Sequence, residues 1–164
     1  MHEFWKQLTW KQFGAAIDTL KNAIIACPED LWRDQSNYHQ FWHMAFHTLF
    51  FLDFYLEADE KNFLPPEPFT LSELAPEGGL PDRIYSQTEL LTYLEFCRDK
   101  CKRIISELTE KRASERFRYG RVDLTIAELL FYNLRHVQHH SAQLNLLLRL
   151  QTNSSPSWVF SAPD

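Results

Sequence analysis

Glycine, cysteine and long apolar segments are all scarce in this sequence. Only 4 of its 164 residues are Gly, which disfavours a turn-rich all-β fold. Its three cysteines, at positions 27, 97 and 101, are an odd number that does not suit a disulfide framework, and they indicate a reducing compartment. No apolar run reaches the length of a membrane span, and the first residues lack the pattern of a signal peptide. We therefore expect a cytoplasmic protein that is not associated with a membrane.

Positive charge is limited as well. The chain has 17 Lys and Arg residues against 22 Asp and Glu, which gives a formal net charge of −5, and the two signs are interspersed. Because no basic run or stripe is present to neutralise phosphates, we do not expect nucleic-acid binding.

Large apolar side chains, by contrast, are abundant. Hydrophobic residues make up 45% of the chain, with 13 Phe, 6 Tyr and 5 Trp. A length of 164 residues suits one domain, so we expect residues 1–164 to fold around a single core. The aromatic content exceeds what a lone small bundle usually buries, and it favours a partner surface or a lined pocket.

Four segments show helical periodicity. In the first, apolar residues recur at spacings of three and four between residues 10 and 24, and this helix is predicted to end near Cys27-Pro28. The second extends over about residues 36–58 and is apolar on nearly every side. Such a helix is normally buried on several sides, so we expect it to contact the core on one side and a neighbour, such as a second subunit, on the other.

A long connection separates the second and third predicted helices. Residues 59–86 contain five prolines and a Gly-Gly pair, which exclude a continuous helix. The connection can run the length of a bundle, which predicts parallel helices two and three joined by a crossover. Capping boxes open the third helix at residues 86–89 and the fourth at residues 125–128, and the fourth continues to about Leu150. The sequence thus predicts an all-α four-helix bundle, with a tail from residue 152 that packs back on it.

The seven histidines are grouped rather than scattered. Apart from His2, three lie on the second predicted helix and three on the fourth: His39, His43, His47, His136, His139 and His140. A helix turns about 100° per residue, so an i, i+4 pair lies about 40° apart and about 6 Å along the axis. Two imidazoles in this relation can bind one metal ion, and His136 and His140 meet the condition on a core-facing side. On helix two, His47 has the most inward direction and is the preferred third ligand, with His43 as the alternative.

These histidines predict a metal site. Burying an imidazole without a partner costs free energy, and one ion would satisfy three of them at once. Three protein ligands also leave a fourth position for water or substrate, which is typical of catalytic sites. We therefore expect a divalent metal ion bound by His47, His136 and His140; Zn, Ni, Fe or Cu would suit these ligands. The alternative is that they are ordinary histidines hydrogen-bonded to the backbone or to solvent.

Other polar residues are candidates for supporting roles. Asn133 and Gln143 flank the pair on helix four and could orient an imidazole or a bound water. Asp53 points about 120° away from His47, so we predict a cap or a salt bridge there rather than a metal ligand. The two cysteines of helix three also form an i, i+4 pair, but they lie on an apolar seam and are predicted to pack in the core.

The residues that would perform a reaction are less well defined. No dedicated general base is evident among the core residues, so a crossover carboxylate such as Glu67 or Glu73 would have to serve. Tyr55 and Tyr132 could border the pocket, although packing is the more ordinary role for each.

Two segments resemble a known protein family. Residues 42–56, Trp-His-Met-Ala-Phe-His-Thr-Leu-Phe-Phe-Leu-Asp-Phe-Tyr-Leu, resemble the second helix of DinB/YfiT-like proteins. Residues 133–144 resemble that family's signature of a His, three residues and a second His, with Gln-Leu following. The resemblance implies an up-down-down-up four-helix bundle, often dimeric, with a metal bound by one His of helix two and two of the late helix. On this chain those residues are His47, His136 and His140.

The two residues after the second His of the pair differ from the family's pattern. Many members, including those similar to thiol-dependent S-transferases, carry Arg-Gly after the second His of the pair, whereas this chain has Ser141-Ala142. Arg would supply a fixed positive charge for an anionic cofactor, so its absence counts against a low-molecular-weight thiol cosubstrate.

The leading hypothesis for function is a small metal-dependent enzyme. The bound ion would lower the pKa of a water or a thiol, for hydrolysis of a small molecule or thiol-dependent transfer to it. An alternative is a non-catalytic dimeric bundle whose metal is structural or vestigial, in which case the site would be closed. A third is a metal-free bundle whose aromatic surfaces bind a hydrophobic ligand or partner. We also expect a homodimer.

Overall fold

A computed structural model describes residues 3–36, 40–75 and 79–163. In chain order its elements are α1 (Glu3–Ala26), α2 (Glu29–Trp32), α3 (Phe41–Glu57), a 3₁₀ turn (Ser72–Leu74), α4 (Gln87–Glu107), α5 (Glu110–Ser114), β1 (Arg116–Tyr119), β2 (Val122–Thr125) and α6 (Ile126–Thr152). The four long helices α1, α3, α4 and α6 form a bundle, so the predicted all-α fold is confirmed, with one antiparallel hairpin added. None of the described helices is long and apolar enough to span a membrane.

The crossover makes α3 and α4 parallel, as predicted. The Cys97 thiol of α4 contacts the Leu49 carbonyl of α3, and Lys100 on the next turn of α4 pairs with Asp53 on the next turn of α3. α1 and α3 occupy opposite corners of the bundle, because each packs against both α4 and α6.

The remaining contacts give the directions of α1 and α6. Lys6 at the start of α1 donates to the Ser106 carbonyl at the end of α4, so these two helices are antiparallel. Ring contacts pair the start of α3 with later residues of α6 and its end with earlier ones: His47 with His140, Phe51 with His136, and Tyr55 with Tyr132. The bundle therefore has the up-down-down-up order that the family resemblance implies.

The start of α3 differs from the prediction. The sequence predicts a helix from about residue 36, whereas α3 begins at Phe41 because Gln40 has an extended backbone, with φ −68° and ψ 131°. A predicted member of this helix, His39, lies outside the described residues. The two predicted capping boxes, at residues 86–89 and 125–128, are confirmed.

The crossover packs its own aromatic rings against α3. Phe50 lies 5.3 Å from Phe63 between ring centroids, and Phe46 stacks on Phe69 at 5.8 Å and approaches Tyr85 at 4.8 Å. All five side chains are buried. The neighbour expected from the apolar character of this helix is therefore, at these rings, the crossover of the same chain. The homodimer stays a prediction.

The β1–β2 hairpin is a feature that the sequence does not predict. Its strands have four residues each, too short for a period-two pattern to stand out, and they are joined at Gly120, whose φ of +55° favours glycine. Phe117 of β1 is buried and packs edge-on against Phe54 and Tyr55 near the end of α3. The hairpin thus covers this end of the bundle.

The last described residues return to α1, as predicted for the tail. The Ala162 amide donates to a backbone carbonyl of α1, and the Trp10 indole donates to the Pro163 carbonyl. Gly14 permits this approach, because a Cβ added there would lie 2.5 Å from the Cβ of Ala162. The large aromatic residues of the tail remain exposed, so the contact is made by small residues and backbone.

A buried ion pair fixes α3 against α4. The Lys100 ammonium lies 2.7 Å from an Asp53 carboxylate oxygen, and the two side chains are only 9% and 1% exposed. Tyr93 donates to the other oxygen, and Glu57 also contacts Lys100. Burial raises the pKa of Asp53 above its usual 3.8 although Lys100 and Tyr93 lower it, so the carboxylate depends on these partners to stay ionised. The salt bridge predicted for Asp53 is confirmed.

We expect Lys100→Met to lower the free energy of unfolding by about 3–5 kcal/mol, because it leaves the Asp53 carboxylate buried without its counter-ion. Urea unfolding near neutral pH measures this change. As a control, Lys21→Met removes a half-exposed pair with Glu95 and should cost no more than about 1 kcal/mol. If both variants lost a similar free energy of unfolding, burial of the Lys100–Asp53 pair would not explain the effect.

Candidate metal centre

Three histidines from two helices meet where α3 packs against α6. His47 projects from α3, and His136 and His140 project from successive turns of α6. Each residue offers one ligand atom, and these atoms all lie within 4.8 Å of one another. The structure thus brings together the three residues that the sequence singles out as candidate ligands.

The spacing of the imidazole nitrogens suits a tetrahedral ion. Nε2 of His47 lies 3.4 Å from Nε2 of His136. Two nitrogens bound to one tetrahedral ion at about 2.0–2.1 Å would be about 3.3–3.4 Å apart. Imidazole nitrogen is also a ligand type that divalent zinc, nickel and iron accept. The cluster therefore fits a metal ion both in geometry and in donor type.

Two side-chain acceptors orient the imidazole rings of His47 and His140. A carboxylate oxygen of Glu73 lies 2.7 Å from Nδ1 of His47, and the amide oxygen of Gln143 lies 2.7 Å from Nδ1 of His140. Each acceptor favours the tautomer with its proton on Nδ1, which leaves the Nε2 lone pair free for an ion. The orienting role that the sequence suggests for Gln143 agrees with this contact.

The two rings on α6 are held in their neutral form. Burial lowers the pKa of His136 to about 3, with a further contribution from His140 and His47. Burial likewise lowers the pKa of His140 to about 4, with His47 acting in the same direction. Both imidazoles are therefore uncharged at neutral pH, which is the form that binds a metal ion.

Glu73 reaches the cluster from the crossover. It lies in the 3₁₀ turn, its side chain is 7% exposed, and its second oxygen lies 2.7 Å from Nε2 of His43. Burial raises the pKa of Glu73, but the hydrogen bonds from His43 and His47 outweigh this effect and lower the pKa to about 2. Both oxygens are thus engaged, so Glu73 is not placed as the free general base that the sequence suggests. The other suggested carboxylate, Glu67, is exposed on the crossover.

Two other described histidines, His43 and His139, lie outside the three-histidine group. His43, the alternative third ligand, lies outside the three-residue group and contacts Glu73 instead. His139 is exposed, in agreement with its predicted peripheral direction. Asn133 is fully buried but donates to the Leu52 carbonyl, so the imidazole-orienting role suggested for it is not observed.

The cysteines of α4 are part of the core, as predicted. Cys97 and Cys101 have no exposed surface, and burial raises the pKa of both thiols well above the ordinary value. Buried neutral thiols are poor nucleophiles and poor metal ligands. The cysteines therefore contribute packing rather than chemistry.

Aromatic rings and a surface cavity surround the histidines. Phe51 lies 4.8 Å from the ring of His47, and Tyr55 lies 6.0 Å from that of His136, between centroids. A cavity of about 500 Å³ adjoins His136; its other lining residues are Tyr132, Leu134, Arg135, Gln138 and His139. The centre therefore has apolar rings on its α3 side and access from solvent along α6.

Comparison with known proteins identifies the family. Residues 8–144 match the sequence profile of the DinB superfamily. The chain belongs to the DinB superfamily. The match includes all three clustered histidines and confirms the resemblance seen in residues 42–56 and 133–144. No curated protein and no solved structure matches the chain. A three-histidine group that could hold a metal ion fits a metal-binding DinB protein.

The metal-free form of this DinB protein should lose stability as the pH falls from about 6.5 towards 4. Histidines of the unfolded chain take up protons near the usual pKa of 6.5, whereas folded His136 and His140 do so only near pH 3 and 4. Because the unfolded state then binds more protons, the free energy of unfolding decreases through this window. His136→Gln should make the decrease shallower, and urea unfolding of chelator-treated protein at several pH values measures it.

The control for this experiment is His139→Gln, which changes an exposed histidine of the same helix. This variant should keep the wild-type slope of stability against pH. An identical slope in all three proteins would show that the clustered histidines do not govern the acid sensitivity.

Proposed function

We propose that this DinB protein is a metal-dependent enzyme that acts on a small molecule by hydrolysis or thiol-dependent transfer. A divalent ion, Zn, Ni or Fe, would be bound by His47, His136 and His140. The observation that carries the proposal is the convergence of three imidazoles, two of which have their Nδ1 atoms held by side-chain acceptors, which leaves their Nε2 lone pairs for an ion.

Two features support a catalytic rather than a structural ion. Structural zinc sites normally have four protein ligands, whereas the group in the described part of the chain has three. The site is also accessible, since His47 is 30% exposed and the cavity adjoins His136. When bound, such an ion lowers the pKa of a water or thiol in the fourth position, so that a nucleophile forms near neutral pH.

The cavity suggests what kind of substrate this centre would accept. The Tyr132 ring offers an apolar surface, and Gln138 and Arg135 offer polar groups. Position 141, which follows the second histidine of α6, holds a buried serine whose hydroxyl donates to the Val137 carbonyl. An anionic group on the substrate would therefore pair with Arg135 rather than with residue 141.

We expect the protein purified without chelator to contain about one divalent ion per chain and His140→Ala to contain almost none, because two imidazoles bind an ion far more weakly than three. Metal analysis by mass spectrometry measures the content. His139→Ala is the matched control: it removes the neighbouring histidine, which is exposed, and should retain the ion. Equal metal content in the wild type and His140→Ala would refute the site.

Activity assays separate the two reaction classes and the non-catalytic alternative. The metal-loaded protein is incubated with small activated esters, and separately with small electrophiles in the presence of a thiol. Turnover that is lost in His140→Ala and kept in His139→Ala supports the enzyme. Full metal occupancy without turnover in either series would favour the dimeric bundle with a structural or vestigial ion.

Three sequence-based expectations accompany this proposal. A homodimer, a cytoplasmic location and the absence of nucleic-acid binding stay predictions. Sedimentation of the purified protein measures the first directly.

A further inference from the structure

A buried carboxylate of the crossover contacts the candidate centre without being one of the proposed ligands. Glu73 lies in the 3₁₀ turn, which is closed by backbone hydrogen bonds from Leu74 to Leu71 and from Ala75 to Ser72. Its side chain is 7% exposed and points at α3, where its two oxygens meet two histidines. A buried carboxylate in such a place must be satisfied by specific partners.

We propose that Glu73 is a positioning residue of the metal centre: its carboxylate fixes the tautomer and the orientation of His47 and thereby couples metal binding to the crossover. The affinity part of this inference rests on the proposed metal binding. The tautomer part does not, because it concerns the metal-free protein.

The contact with His47 determines which nitrogen can bind an ion. The Glu73 oxygen lies 2.7 Å from Nδ1, a distance at which the imidazole N–H donates to the carboxylate. A neutral imidazole has one N–H, so its Nε2 then carries the free lone pair. That Nε2 lies 3.4 Å from Nε2 of His136, within the cluster. Without the carboxylate, the proton could move to Nε2 and block the ligand position.

His43 holds the carboxylate in place from the other side. It lies one helical turn before His47, and its Nε2 is 2.7 Å from the second oxygen of Glu73. Two donors on successive turns of α3 fix both the position and the rotation of the carboxylate plane. His43 itself lies outside the three-histidine group, so its contact with Glu73 does not compete with metal binding.

The contact joins two segments that are distant in sequence. His47 belongs to α3, whereas Glu73 belongs to the connection between α3 and α4. Acceptors that orient a metal-binding histidine typically change metal affinity by about 10–100-fold when they are removed. The conformation of the crossover at residue 73 is therefore linked to the affinity of the centre.

The test compares Glu73→Leu, which removes the acceptor, with Glu67→Leu, the same substitution at an exposed carboxylate of the crossover. Nitrogen-15 NMR of the metal-free proteins at mildly alkaline pH reports the tautomer of His47. We expect the Nδ1–H form in the wild type and in Glu67→Leu, and a mixture of tautomers in Glu73→Leu. Circular dichroism verifies that each variant is folded. The wild-type spectrum alone is decisive if Glu73→Leu fails to fold, since an Nε2–H form in the wild type would overturn the proposal.

Zinc affinity, measured by competition with a chromophoric chelator, gives the second readout. We expect Glu73→Leu to bind zinc about 10–100-fold more weakly than the wild type and Glu67→Leu to match the wild type. Equal affinities in all three proteins would overturn the coupling, even if the tautomer changes. If the wild type itself binds no zinc, the proposed function fails, while the NMR result still decides whether Glu73 positions His47.

Discussion

The antiparallel packing of α3 against α6 is the interaction on which the candidate centre depends. His47 faces the histidines of α6 in one register only, because a shift of one helical turn moves a side chain by about 5.4 Å, more than the 4.8 Å that spans the ligand atoms. Asn133 reports this register: it is fully buried and donates to the Leu52 carbonyl at 3.0 Å. A slipped register would break this buried hydrogen bond, which costs free energy. The hydrogen bond between Asn133 and Leu52, which lies outside the candidate centre, thus stabilises the helix register that brings the three histidines together.

The composition of α3 follows from the neighbours that surround it. Asp53 faces α4, His47 faces α6, and Phe46 and Phe50 face the crossover. A helix with neighbours on three sides has little surface left for water, so apolar residues occur all round it. Its polar side chains are then placed where a specific partner meets them. The same helix can therefore be the most apolar of the chain and carry a candidate ligand.

Features set by periodicity within one helix were predictable, and features set by distant segments were not. The i, i+4 spacing of His136 and His140, and the direction of His47 relative to His43, follow from helix geometry alone. The crossover could be recognised from its prolines, but its path could not, so the face of α3 that it covers was expected to contact an unspecified neighbour, such as a second subunit. The contact of Glu73 with His47 depends on that path, and for this reason the sequence suggested only a loose role for it as a base. The hairpin is missing from the prediction because strands of four residues are too short for an alternation of apolar and polar residues to be recognised.

The engagement of Glu73 bears on the nucleophile of the proposed enzyme. Its oxygens are committed to two imidazoles, so a nucleophile at this centre would have to ionise without help from that carboxylate. An ordinary thiol has a pKa of about 8.5 and bulk water about 15.7, so a thiol needs a far smaller shift to ionise near neutral pH. A bound metal ion supplies either shift, so the engagement of Glu73 is compatible with both reaction classes of the proposed function. The buried Ser141 offers no positive charge, so an anionic group on such a thiol would have to pair with Arg135 of the adjoining cavity.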